Sequence, residues 1–128
     1  MIEEALYTYL TGYAALAALV GARVYPMQAP QDAIYPLVVY QQVSGPREYS
    51  HSGPSNLAHP RFQFTAWAAT FFESRQVAAQ VRAALGGYAG TVGTETLYAV
   101  FIDNEVPVYD DKTKQYGSVI DAMIWHKE

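Results

Sequence analysis

The chain contains no cysteine, which removes disulfide frameworks and thiolate metal sites at once. Charge is also sparse: 16% of the 128 residues are charged, the formal net charge is −4 and the pI is about 5.3. That balance argues against a broad basic face wrapped around nucleic acid. No apolar run approaches the roughly 20 residues of a membrane span. The most apolar stretch, 13–20, is short and alanine-rich, and it lacks the basic face of a membrane-surface helix. Glu3 and Glu4 stand where a secretory leader needs basic residues, so none is expected. What is present is apolar mass: 51% of the residues are hydrophobic, which speaks against general disorder. The length suits one domain, 1–128, able to bury roughly two-thirds of its unfolded surface. Tyrosine is over-used, with 11 copies, and it tolerates burial with one wet end, as at protein interfaces. By composition this is a small cytosolic domain.

The chain is organised around residues 61–85. Phe62, Phe64 and Ala66 alternate with Gln63, Thr65 and Trp67, and from residue 71 the apolar period lengthens from two to about 3.6. A strand passes straight into a helix. Thr70 followed by Glu73 reads as a capping box, in which the hydroxyl takes a first-turn amide and the glutamate reaches back. The helix is expected to bury Phe71, Val77, Ala78, Val81, Ala84 and Leu85 and to end at Gly86-Gly87. Its other side carries Glu73, Arg75, Gln76, Gln80 and Arg82, a solvated face. Upstream, Ile2, Ala5, Leu6, Tyr9 and Leu10 have helical spacing, with Glu3 and Glu4 suited to the positive end of the dipole. Thr11-Gly12 interrupts that helix, and 13–20 forms a second one stopped by Gly21.

A very short strand at 23–26, a loop at 27–35 and a clearer strand at 37–44 follow. Residues 47–60 are polar and turn-rich, a long loop or an extended hairpin whose tip leaves the body. Residues 86–93 read as a helix stop and flexible turn, and 96–102 as a strand that begins its exit at 103–105. Residues 106–109 are extended, 110–115 form a charged turn, and 118–126 are the final strand. The order predicts an α+β domain with an antiparallel or mixed β-sheet and helices packed on one face.

No reactive constellation emerges from the spacing. His51, His59 and His126 match no metal motif. Ser44, Ser50 and Ser52 near His51 lack the Gly-x-Ser-x-Gly elbow that would hold a nucleophile against its base. The glycine-rich run 86–93 follows a helix rather than preceding one, so no helix N-terminus meets a phosphate there. Asp103, Glu105, Asp110 and Asp111 are oxygen ligands without the EF-hand pattern, and a charged turn is favoured. No carboxylate pair is placed for acid–base work. Neither an enzyme nor a cofactor is expected. A small-molecule-binding or enzymatic α+β domain remains an alternative, with a pocket between the sheet and the 70–85 helix and Tyr and Trp stacking on a ligand.

The order of landmarks resembles a known family. Ala17-Ala18-Leu19-Val20-Gly21-Ala22-Arg23-Val24-Tyr25-Pro26 looks like its opening block, and Ala29-Pro30-Gln31 with Tyr35-Pro36-Leu37-Val38-Val39-Tyr40 its second. Phe62-Gln63-Phe64-Thr65-Ala66-Trp67, the helix ending Val81-Arg82-Ala83-Ala84-Leu85, and Val108-Tyr109-Asp110 before a closing strand complete the set. The chain is similar throughout to the tail-completion, or tail-terminator, proteins of long-tailed phages and prophages, the minor tail protein U group. It departs at Thr65, where the family pattern has an aspartate.

The resemblance implies a structural virion protein at the head-proximal end of the tail, assembled in the bacterial cytoplasm. It implies a homo-oligomeric ring, commonly a hexamer, that caps the tail tube, ends its polymerisation and meets the head–tail connector or stopper. DNA would only pass through the lumen, and no membrane is involved. Another head–tail joining adaptor is an alternative, although those are more helical. The interface residues expected are Arg47, Glu48, Tyr49 and His51 in the long polar segment, and Asp110, Asp111, Lys112 and Lys114 at a second exposed tip.

Overall fold

A computed structural model describes residues 1–45, 47–50 and 53–127, with side chains for 1–45 and 57–127. The elements are α1 (Ile2–Thr11), α2 (Ala14–Val20), β1 (Val24–Pro26), β2 (Leu37–Ser44), β3 (Arg47–Ser50), β4 (Gly53–Ala58), β5 (Arg61–Ala68), α3 (Phe71–Leu85), β6 (Gly90–Val92), β7 (Glu95–Asp110) and β8 (Gln115–Lys127). The strands form one mixed sheet. β5 is bonded antiparallel to β2 on one side and to β8 on the other. β8 then pairs with β7 along its opposite edge, from Asp110↔Gln115 to Leu97↔His126. At its far end β8 also meets β4, which lies in line with β5 beyond His59-Pro60. β1 runs parallel to β2, β6 flanks β7, and β3 pairs antiparallel with β4.

The helices cover one face because the strands bury one face. Along β5, Phe62, Phe64, Ala66 and Ala68 are buried and every intervening residue is partly exposed. β8 repeats this with Ser118, Ile120, Ala122, Ile124 and His126. Over these rows α3 lays Val77, Ala78, Val81, Ala84 and Leu85, while α1 and α2 add Leu6, Leu10, Leu16 and Val20 to the same cluster. This interface, where a ligand pocket was one expectation, is filled by those side chains. Two tyrosines tie the layers. Tyr9 Oη donates to Ala84 O over 2.5 Å, and Tyr40 Oη donates to Glu3 O over 2.7 Å.

Several local expectations change. The polar stretch 47–60 is largely strand, so the extended-hairpin reading holds and the loop reading does not. The turn after α3 contains β6. Residues 95–110 form one continuous strand rather than a strand, an exit and an extended piece. A bulge between Ile102 and Asn104 absorbs an extra residue and lets pairing resume, and Pro107 is tolerated on the outermost strand at that level. In α3, Phe71 is 41% exposed rather than buried, and Ser74 takes the inward place. The Ser74 hydroxyl lies 3.2 Å from that of Ser118 and donates to Phe71 O, so a small polar pair is satisfied under the helix.

Thr70 Oγ1 accepts from Glu73 N at 3.2 Å, the first bond of the expected capping box. Replacing Thr70 with Ala should lower the unfolding free energy by about 1 kcal/mol in urea titrations, with no change in fold by circular dichroism. Burial, helped by the Glu3 carboxylate, pushes the Tyr40 hydroxyl up from 10.0 to about 12. Folding therefore favours its neutral form. The contribution is intact below pH 10.0 and lost as pH rises toward about 12. The urea midpoint should fall across that window, and Tyr40→Phe should flatten part of the fall.

Candidate assembly surfaces

The β7–β8 hairpin closes through Asp110, whose carboxylate accepts from Lys112 N at 3.1 Å and Thr113 Oγ1 at 2.9 Å. Lys114 N returns to Asp110 O over 2.8 Å, and Lys114 sits at φ 60°, in the left-handed region a tight turn demands. Asp110 is thus the brace of the turn. Asp111, Lys112 and Lys114 are exposed beside it, with no ion-pair partner among the described residues.

Next to this tip lies an aromatic group that sequence reasoning missed. Phe71, Phe72, Tyr109 and Tyr116 are 41, 78, 48 and 37% exposed. Phe71 meets Phe72 at 5.7 Å and Tyr116 at 6.5 Å between ring centres, and Tyr109 meets Tyr116 at 4.9 Å. A contiguous exposed aromatic patch is characteristic of a contact surface. The available signal was the Phe71-Phe72 doublet directly after the cap, where only one of two adjacent residues can face the core.

The other end of the sheet carries the β3–β4 hairpin, with Arg47, Glu48 and Tyr49 on β3 and Tyr49 in register with Pro54. His51 lies outside the described residues. The two expected interface groups are therefore separated by the length of β8, roughly 40 Å at about 3.4 Å per residue. They do not form one site. A cleft of about 280 Å³ opens near the hairpin base, lined by Met1, Gln42, Ala58, Glu95 and His126 among others. There Glu95 lies 3.5 Å from the N-terminal ammonium and 3.7 Å from His126 Nδ1. His59 stacks on Trp125 at 4.2 Å. The four acids weighed as oxygen ligands do not converge on one point. Asp103 pairs with Arg61 on the uncovered face, and Asp110 and Asp111 belong to the distant tip. Glu105, 13% exposed, has Arg75 and Arg82 each at 2.8 Å on the α3 side.

The face without helices is half apolar. Val106 and Val108 on β7 are exposed, and Val39, Trp67 and Val119 are partly so. A chain of side-chain amides and a carboxylate crosses it, Gln41 to Gln63 to Asp121, each step 3.4 Å.

The comparisons with known proteins place these surfaces on a structural protein of a phage-type tail. Residues 4–127 match the family "Tail completion protein gp17", and the chain belongs to that family. The fold is shared with a chain of a solved structure, "Virion of native gene transfer agent (GTA) particle". The two superpose with a TM-score of 0.74 at 21% identity, over 99% of this chain and 95% of that one. No curated protein sequence matches the chain.

Glu105 is the fulcrum of the α3–β7 contact. Glu105→Ala should cost about 1 kcal/mol, because both arginines are more than a third exposed and water screens the pairs. Raising the salt to roughly 1 M should shrink the difference between variant and wild type.

Proposed function

We propose that the chain forms a closed ring, a hexamer by family resemblance, that caps the tail tube, stops its growth and joins the tail to the head connector. Family membership across residues 4–127 supports a tail role, and the placing of the two hairpins supports the joining role. A protein seated between two partners along one axis needs a contact element at each end. Here the β3–β4 hairpin and the β7–β8 tip with its aromatic patch lie at opposite ends of β8. One end would meet tail-tube protein and the other the connector or stopper. The net charge of −4 suits a lumen through which DNA slides without being held.

The test uses purified protein with tail-tube protein. Deleting residues 49–55 removes the hairpin tip while leaving the β4–β8 pairs at Leu57 and Ala58. The expected outcome is an unchanged circular dichroism spectrum, with tube binding or ring formation in negative-stain images weakened at least tenfold. Unaltered rings and tube binding would remove the hairpin from the assembly. A wild-type chain that stays monomeric by light scattering and ignores tail-tube protein would remove the ring itself.

A further inference from the structure

We infer that the outer edge of β7, from Ile102 to Asp110, pairs with the open edge of β2, at residues 41–44, in a second copy of this chain. The inference rests on the ring reading and names the backbone surfaces that would build it.

β6 covers β7 only at Glu95–Leu97, and Gly87 N takes Val100 O. From Ile102 onward, among the described residues, the outer edge of β7 has no backbone partner. That leaves roughly 30 Å of strand edge at about 3.4 Å per residue. Its side chains, with Phe101 just before them, are the most exposed apolar series in the sheet: Phe101 55%, Val106 44%, Val108 38% and Tyr109 48%. A long, open edge is a template for strand addition, and of the three acids on this one Asp103 and Glu105 are already paired with arginines and Asp110 braces the turn. Pro107 withholds one donor and leaves the rest of the edge available.

The opposite side of the sheet is open at a different place. β1 shields β2 only at Val38–Tyr40, and past it Gln42, Val43 and Ser44 are exposed on an edge that runs on toward β3. β2 and β8 are both antiparallel to β5, so they share a direction, and β7 opposes β8. The two open edges therefore run in opposite directions. A neighbour placed beside the chain in the same orientation brings its β2 against β7 as an antiparallel pair. This contact joins two different surfaces head to tail, as a closed ring requires.

The absence of native cysteine makes the test clean. Ser44→Cys and Val106→Cys introduce single thiols at exposed positions, to be treated with a short bismaleimide under conditions where light scattering shows the oligomer. The double variant should give a denaturing-gel ladder up to the ring mass, a mixture of the two single variants should give dimers, and each single variant alone should give none. Val106→Lys should weaken self-association at least tenfold with an unchanged melting temperature. Dimers from Val106→Cys alone would mean β7 against β7 and overturn the inference. An intact oligomer without cross-links in the double variant would also overturn it while leaving the ring reading standing. A chain that never oligomerises, with or without tail-tube protein, would remove both.

Discussion

β8 is bonded along both edges, to β5 and β4 on one side and to β7 on the other, and its register decides which face of the molecule is apolar. Ser118, Ile120, Ala122, Ile124 and His126 face the helices because each stands beside an inward residue of β5 or β7, such as Phe64 or Val100. A slip by one residue would turn Asp121 and Trp125 into the core and put Ile120 and Ile124 in water. The fully buried Phe62 and Phe64 act with β8 as the floor on which α3 rests. Every other element takes its position from this floor. α3 crosses it, α1 and α2 fill the space beside α3, and Tyr9 and Tyr40 fasten α1 to both layers. Two of the tyrosines that suggested an interface are thus internal fasteners.

A sheet covered on one face leaves its second face, both edges and both ends to water. That is costly for a lone molecule of this size, because exposed apolar side chains such as Phe72 and Phe101 gain nothing from folding. The distribution makes sense for a subunit whose remaining surfaces are buried later by neighbours. The paired polar groups, Glu105 with two arginines and Asp103 with Arg61, brace strand β7.

Much of this was readable in the chain. The period-two pattern of 61–68 and 118–126, the Thr70 cap and the Gly21 stop each follow from local chemistry, and each element stands where expected. The failures have physical causes. β3 and β4 lie in a hairpin of Ser, Gly, Pro and Asn that lacks the apolar alternation of a half-buried strand. β7 shifts its inward side chains at the bulge beyond Ile102, and the change of phase reads as an end rather than a continuation. Phe71 is exposed while Ser74 is buried against Ser118, a fit that depends on a strand 44 residues away. Of the contact surfaces, the charged tip was legible as a turn, whereas the aromatic patch required knowing that Tyr109 and Tyr116 face each other across β7 and β8.

The positions of the two open edges also bear on closure. The free part of β7 lies level with Leu37–Gln42 across the sheet, whereas the free part of β2, residues 41–44, overlaps that level only at Gln41 and Gln42 and runs on toward the β3–β4 hairpin. Joining like-oriented copies through these segments staggers each neighbour along the strand direction. If the strands stood parallel to the assembly axis, that stagger would accumulate and produce an open helix. If they are tilted, the stagger is the shear that a closed ring of strands must have, as it is in any barrel. Blocking of the level positions on β2 by β1, at Val38–Tyr40, forces this offset. That three-residue strand, which places one side chain in the core, would then set whether the assembly closes.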